Sequence, residues 1–533
     1  MDSEANVTPD DSRLVLVSNR LPITIKLDPE TNEYTFKPSS GGLVSGLAGL
    51  LKTKKFAWYG WAGLEVPEEQ MQPISDRLKD EHSAYPVWIS NDLADKHYNG
   101  FSNEVLWPLL HYHPGEATFD DSVYLAYQNV NHLFAERLIQ ELRDGDLIWI
   151  HDYHLMLLPL FLRHLINIKG VNVKIGWFVH TPWPSSEVFR VLPCREDLLE
   201  GVLASDLVGF HTFDYAKHFL SCCGRLLGAS CTPTSVIYEG HKTGVGAFPI
   251  GIDPEKFAEG LQAQVTQDKI VHYRDRFRDA KLIIGCDRLD YIKGVPHKLH
   301  AFQYLLESHP ELVGKVQLVQ IAIPSREDVD EYQSLKKAIN ELAGAINGQF
   351  GTLDFNPVHL KHTTVTHQDL MALFSVSDIC FVTSTRDGMN LVSYEYVACQ
   401  AHRHGTLVLS EFAGCAQSFA NGAIICNPWD VEESADSLYE AIMLTDEDRQ
   451  NRHDHLWEYV HKYTSAWWGE TFVQTLSETN QIMPSDDNDT ESEQDFSRQI
   501  VKEAVDAELN RGKTKPTAKT VTFEEPKVEQ ARL

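Results

Sequence analysis

From Arg13 to about Met443, short runs of β-branched and aromatic residues alternate with stretches of helical period, and each run is closed by Gly, Asp, Ser or His. Eight such runs are expected strands: RLVLVS from Arg13, DLIWI from Asp146, VKIGWFV from Val173, DLVGF from Asp206, KLIIGC from Lys281, VQLVQIAI from Val316, DICFV from Asp378 and TLVLS from Thr406. They hold continuous apolar runs rather than alternating ones, as strands covered on both faces do. Strands of this kind interleaved with helices predict an α/β protein built on parallel sheets.

The pattern breaks once, between Phe248 and Ala263, at Pro249, Gly251, Pro254 and Gly260, and restarts at Lys281. This divides the chain into two doubly wound domains, 13–250 and 251–455, with ligands expected at the carboxyl ends of the strands, in the cleft between them. The segment 456–483, which carries Trp457, Tyr459, Tyr463, Trp467, Trp468 and Phe472, is expected to pack as a helix back on the body. Residues 484–533 contain SDDNDTESEQD and lose apolar periodicity, which predicts a disordered tail.

A length of 533 residues with 43% hydrophobic content rules out a single small module. Charge changes the picture more. Forty-seven Lys plus Arg against 76 Asp plus Glu leave a net charge of -29, which repels nucleic acid and anionic membrane surfaces. An anionic ligand would therefore need a few cations gathered in one cleft. The nine cysteines are scattered, mostly in apolar stretches, and read as reduced thiols. The start, MDSEANVTPDDS, lacks the basic and apolar regions of a secretory signal, and the longest apolar patch, Leu155–Leu162, is far too short to span a bilayer. A cytoplasmic protein is expected.

Four motifs follow strand ends. In DRLDYIKG, Arg288 and Lys293 flank a turn and Gly294 opens a helix, which suits an anion site; the bland alternative is a solvated surface turn. In RDGMNLVSYE, Gly388 allows close backbone approach, and Glu395 lies one helical turn beyond Leu391, where a carboxylate could accept both hydroxyls of a ribose; the alternative is an acid that favours the helix dipole. In HDYH, Asp152 could bind sugar hydroxyls or cap a helix, and the two histidines lack the companions of a zinc site. In HTPWPSSE, Ser185, Ser186 and Glu187 read by default as a helix cap. Upstream, SNRLP brings Arg20 to a strand end, and Gly41-Gly42 is weak as a phosphate loop. Taken singly, most of these favour the bland reading.

Taken together they do not. The pieces SNRLP, SSGGLVSGL, HYNGFSN, LWPLLHY, HDYHL, HTPWPSSE, DRLDYIKG, PSRE and RDGMNLVSYE, in this order from about Arg13 to Met483, closely resemble the trehalose-6-phosphate synthase family, the fungal catalytic enzymes most of all. The resemblance implies a GT-B fold, two Rossmann-like domains facing across a cleft, and retaining transfer of glucose from UDP-glucose to glucose 6-phosphate. It implies that Arg288 and Lys293 hold the donor diphosphate, that Val365 lies by the uracil, and that Gly42 lies near the donor phosphate. Asp387, Gly388, Met389, Asn390, Leu391, Val392, Ser393, Tyr394 and Glu395 would line the glucose and ribose. Arg20, Tyr98, Trp107, Asp152 and Arg326 would form the acceptor site, the two arginines facing the 6-phosphate. His180 would act at the reaction centre, completing a catalytic set with Asp152, Arg288, Lys293 and Asp387.

No cofactor and no metal is implied, and the Asp-x-Asp pairs at 144/146, 328/330 and 487/489 read as loop, helix or tail acids. A homo-oligomer, and a complex with a trehalose-phosphate phosphatase and regulatory subunits, are the partners the resemblance suggests. Trp183 departs from it, standing where many members carry Phe. Two rivals remain: another GT-B transferase, such as a sucrose-phosphate or glycogen synthase, because fold does not fix the acceptor, and a catalytically weak subunit that senses glucose 6-phosphate. The second would be marked by lost cleft residues.

Overall fold

The apolar runs fold as parallel strands in two sheets. The computed structural model describes residues 12–28, 30–31, 33–39, 42–51, 56–324 and 330–479; the tail expected at 484–533 lies outside them. In chain order, β1 (Leu14–Arg20) is followed by a small hairpin of β2 (Ile23–Leu27) and β3 (Tyr34–Pro38), then β4 (Phe56–Trp61) and β5 (Ala84–Val87). Next come β6 (Leu147–His151), β7 (Lys174–Phe178) and β8 (Leu207–Phe210), and the short antiparallel strands β9 (Ser230–Thr232) and β10 (Ser235–Tyr238) precede β11 (His241–Ala247). The second half holds β12 (Lys281–Arg288), β13 (Val316–Ile323), β14 (Val358–Lys361), β15 (Ile379–Val382), β16 (Thr406–Ser410) and β17 (Ile424–Cys426).

The first sheet runs β5-β4-β1-β6-β7-β8-β11-β10-β9 and the second β14-β13-β12-β15-β16-β17. Pairing is parallel throughout the second sheet and, in the first, from β5 to β11. In both, the chain works outward from a central strand to one side, then returns and works outward to the other, which is the doubly wound order. All eight runs read as strands are strands. Those the pattern did not mark are broken by special residues or lie at edges: β4 carries a glycine among aromatics, β5 holds Pro86 at a sheet edge, where no ladder bond is lost, and β14 is partly exposed.

The aromatic segment near the end is two helices. The first, Asp446–Lys462, contacts the second half, and the second, Ser465–Glu478, crosses to the first sheet. The Phe472 ring stacks on Trp149 at 4.5 Å, and Trp468 lies 4.8 Å from the same indole. Room for Phe472 exists because β7 and β8 present Gly176 and Gly209, where an added Cβ would come within 2.8 and 2.7 Å of the ring. Lys174 Nζ donates to the carbonyls of Ser477 and Thr479, each at 2.6 Å, and so caps this helix's carboxyl end. Among the described residues no helix is long and apolar enough to cross a membrane.

Candidate active site

In a doubly wound sheet the crevice opens where the strand order reverses, at the carboxyl ends of the two central strands. In the second sheet these strands are β12 and β15, whose ends lead into Arg288–Lys293 and Ser384–Asp387. In the first they are β1 and β6, which end at Arg20 and at His151-Asp152. Three of the four strand-end motifs, with Arg20 of SNRLP, therefore lie at the two switch points; the fourth, HTPWPSSE, follows the neighbouring strand β7.

On the second side, a turn Tyr291–Lys293 follows β12, and Asp290 caps it by accepting the Ile292 N–H. Gly294 has φ 61° and sits against Thr383 O with no space for a Cβ, so β12 and β15 are tied where their loops diverge. Beneath the turn, buried Lys298 donates to Asp287, the residue before Arg288, at 2.5 Å, and Gln320 donates to the same oxygen at 3.0 Å. Lys293 Nζ reaches Asp387 Oδ2 at 2.6 Å, and Asn390 Nδ2 and Ser384 Oγ also donate to that oxygen, at 3.0 and 3.3 Å. Burial alone would raise the Asp387 carboxyl, but the Lys293 ammonium outweighs it and holds the group below the usual range. Asn390, at φ 80°, caps the helix Leu391–Ala398 by accepting the Ser393 N–H. Burial raises Glu395 on that helix to about 7, offset in part by Lys256.

On the first side, Asp152 adopts φ 76° and caps nothing with its side chain; instead it accepts the backbone N–H of His180 at 3.2 Å. Burial raises its carboxyl to about 6. His151 Nδ1 lies 3.2 Å from His180 Nε2, and the His211 ring is 5.2 Å from that of His180. Burial holds all three imidazoles low, His151 at about 3 and His211 at about 4, so the cluster is neutral at physiological pH. Tyr98 lies in an eleven-residue π-helical stretch, Lys96–Leu106, and stacks on His154 at 5.5 Å. Such stretches are rare and recur at functional sites.

The two sides touch. The Arg288 guanidinium carbon lies 5.6 Å from the Trp107 ring, and His111, one turn beyond Trp107, is close enough to Asp387, Lys293 and Arg288 for their charges to act on it. Tyr215 OH donates to the Asp387 carbonyl at 3.0 Å. Gly388 packs against His180 O and the Thr181 backbone, and a Cβ there would collide with both. Cations of one sheet thus meet neutral imidazoles, a carboxyl and aromatic faces of the other, an arrangement suited to a sugar with an anionic leaving group.

The model of glycosyltransferase family 20 matches residues 12–478. The chain belongs to glycosyltransferase family 20. It is 58% identical to alpha,alpha-trehalose-phosphate synthase [UDP-forming] 1 of Aspergillus fumigatus over 90% of this chain and 92% of that one. An E. coli structure bound with UDP-2-fluoro glucose aligns at TM-score 0.79 and 35% identity, over 88% of this chain and all of its own. A Burkholderia xenovorans alpha,alpha-trehalose-phosphate synthase (UDP-forming) in complex with glucose-6-phosphate aligns at 0.76 and 32% identity, over 87% of this chain and all of its own. The fold is GT-B, and this family 20 member is a glycosyltransferase.

Against that family pattern, Trp183 is accommodated fully buried: its ring stacks on Phe189 at 5.0 Å and its Nε1–H points to Cys222 Sγ at 3.5 Å. Ser185, Ser186 and Glu187 do not cap their helix; Ser185 instead gives its N–H to Tyr112 OH at 2.9 Å. Arg20 is exposed, over Trp61 and against Gly63. Val365 lines a cavity of about 260 Å³ with Tyr273, Phe277 and Lys361 at the edge of the second sheet. Gly42 is exposed and opens a helix, with nothing within 4 Å of where its Cβ would be. Arg326 lies outside the described residues. Of the Asp-x-Asp pairs, Asp146 holds Arg13 and Asp144 accepts the Asn172 N–H, both structural; Asp328, Asp487 and Asp489 are outside the described residues. Among the described residues no group of three or more His, Cys, Asp or Glu could hold a metal. His111 and Tyr112 stand in the LWPLLHY piece but have no role assigned from sequence, and Tyr215, near the start of the helix Phe213–Cys222, is not singled out by it; what they do depends on residues distant in sequence, which only the assembled fold brings to them.

Proposed function

We propose that the chain transfers the glucosyl unit of UDP-glucose to glucose 6-phosphate, giving α,α-trehalose 6-phosphate and UDP. The observation that carries this is the meeting of Arg288 and Lys293, at the switch point of one sheet, with Trp107, His111, Asp152 and His180 of the other. The relatives solved with UDP-2-fluoro glucose and with glucose-6-phosphate support the same pair of substrates.

In this reading residues 251–455 bind the nucleotide sugar and residues 13–250 the acceptor. The bond from C1 to the diphosphate oxygen breaks, C1 bonds to the acceptor hydroxyl on the same face, and the hydroxyl proton passes to the departing diphosphate. Charge grows on the leaving group, and Arg288 with Lys293 is placed to stabilise it, a role a metal clamp would otherwise fill. Asp387 and Gly388 hold the glucose, and the helix beginning at Leu391 offers its backbone N–H groups to phosphate. Glu395 accepts the ribose hydroxyls when ionised. Asp152 orders the acceptor, and neutral His180 hydrogen-bonds at the reacting centre without adding charge. Arg20 and Arg326 meet the 6-phosphate. No cofactor enters the scheme. A cytoplasmic location, self-association and a complex with phosphatase and regulatory subunits belong to the same proposal.

A weakly active sensing subunit is not favoured, since the strand-end groups such a chain would lose are all in place, from Asp152 and His180 to Lys293 and Asp387. Purified protein given UDP-, ADP- or GDP-glucose with glucose 6-phosphate in chelator tests the proposal: trehalose 6-phosphate should form from the uridine donor. Turnover only after magnesium or manganese is restored would overturn the metal-free scheme, and no product with any donor would overturn the activity.

A further inference from the structure

Between the halves lies a contact that the transfer scheme does not require. Tyr112 follows the helix Trp107–Leu110 and sits at φ 65°, a conformation that a non-glycine residue keeps only where its surroundings over-determine it. Those surroundings come from both halves. The Arg386 guanidinium carbon lies 4.3 Å from the Tyr112 ring centroid and 4.9 Å from that of Phe412. The Tyr112 hydroxyl accepts the Ser185 N–H at 2.9 Å and lies 3.4 Å from His218 Nδ1, which in turn lies 2.9 Å from Trp183 O. One side chain therefore touches both the HTPWPSSE loop and the RDGMN loop. Directly after Arg386 the chain is gripped again, by Tyr215 at the Asp387 carbonyl and by the His180 backbone at Gly388.

We propose that Tyr112 and Arg386 are a positioning pair that clasps the acceptor-side loop to the donor-side loop and so sets Asp387 and Lys293 in register with His180. The inference rests on the reading of those three residues given above. A planar guanidinium on an aromatic face is attracted by the ring's charge distribution and also fixes an orientation, which an ammonium would not. Asp387 takes its charge partner from Lys293, which leaves the neighbouring Arg386 to reach the opposite half. The clasp spans the cleft, so loosening either end should shift the reacting groups of one side relative to those of the other, while the donor-side groups keep their own contacts with one another, Lys293 with Asp387 among them.

The test uses the full chain and four variants: Tyr112→Leu, Tyr112→Phe, Arg386→Met and the double Tyr112→Leu/Arg386→Met. Tyr112→Leu and Arg386→Met should each lower kcat by at least about tenfold, as small misplacements do, with calorimetric UDP-glucose affinity within about threefold of the parent. The double variant should fall within about twofold of the worse single one, because the two act as a unit. Tyr112→Phe keeps the packing and the ring on Arg386 but loses the hydroxyl that accepts the Ser185 N–H, so its kcat should fall clearly below the parent's, whereas a role in packing alone would leave it at the parent's value. Hydrogen exchange gives a readout free of the reaction: Arg386→Met should speed exchange in 181–188, and Tyr112→Leu in 384–390. Additive losses in the double variant, donor affinity falling in step with kcat, or exchange rising only in the half that carries the change would each overturn the clasp. A parent enzyme that makes no trehalose 6-phosphate would overturn the reaction instead, and reciprocal exchange would then decide the clasp by itself.

Discussion

Lys293 Nζ lies 2.6 Å from Asp387 Oδ2, and each side chain is only 13% exposed. Each stands ready to meet a different part of the donor while holding the other charged. Removing one partner of such a pair leaves a buried, uncompensated charge, which costs about 3–5 kcal/mol, whereas removing both costs far less. Lys293→Met should therefore lower stability in urea unfolding, and Lys293→Met/Asp387→Asn should regain most of it without regaining turnover. The Asp387 carboxyl sits below its ordinary value, so this stability is present above the unfolded value of about 4 and is lost as pH falls through the folded one. Equal stability of the single and double variants would count against this account of the pair.

Donor affinity should depend on pH through Glu395. Burial raises this carboxyl to about 7, and only its ionised form accepts two hydroxyl protons. UDP-glucose carries no phosphate proton to lose near neutrality, so its affinity should weaken by up to about tenfold per pH unit below 7 as Glu395 takes up a proton. Calorimetry from pH 5.5 to 8.5 measures the slope, and Glu395→Gln should bind weakly at every pH with the slope gone. In the free protein the sign is opposite: the raised value means that stability declines as pH rises from the unfolded value towards 7.

The two halves of the cleft should separate in kinetics. Arg288 would meet an oxygen that gains charge in the transition state, so Arg288→Ala should lower kcat even at saturating UDP-glucose. Arg20 would meet a phosphate whose charge is constant, so Arg20→Ala should chiefly raise the KM for glucose 6-phosphate. Each loss should amount to roughly 2–5 kcal/mol, less for Arg20 in proportion to its exposure. Calorimetry in which Arg20→Ala weakens UDP but spares glucose 6-phosphate would reverse the assignment.

The helix Ser465–Glu478 should matter for stability rather than chemistry. Phe472→Ala empties the space between Trp149, Gly176 and Gly209 and should cost about 3–5 kcal/mol, read as a lower thermal midpoint. Gly209→Val should be comparably damaging from the other side, since its Cβ would meet both Phe178 and Phe472. A chain ending after Thr479 should fold and turn over, whereas one ending before Ser465 should aggregate with the first sheet uncovered. Equal solubility of the two truncations would refute this division.

Most of the architecture could be read from the chain because parallel strands buried on both faces write a mostly apolar signature without strict alternation, as β12 does from Leu282 to Cys286 and β13 does around its two glutamines. Edge strands such as β5 and β14 share less of that burial and leave a weaker trace. Within the cleft, Arg288 and Lys293 could be picked out as a candidate anion site by type and by their place after a strand, and Asp387 through the resemblance to the family. Tyr112 could not, because its significance lies in Ser185 and Arg386, distant in sequence. Ser185 does stand at the start of its helix, but its side chain makes no cap, and its backbone N–H is taken by a tyrosine that only the assembled fold brings there.

The crossing of the helix Ser465–Glu478 sets a clock on synthesis. The final strand of the first sheet ends at Ala247, but the helix that covers Trp149 and Phe178 begins at Ser465. At about 5–20 residues per second, the interval between their appearance is on the order of 10–40 s. For that time the nascent first half carries a bare aromatic face in a crowded cell, and only the emergence of residues 465–478 can close it. The ribosome-bound protein is thus a natural client for chaperones, and slowed translation between the two points would lengthen its most vulnerable moment.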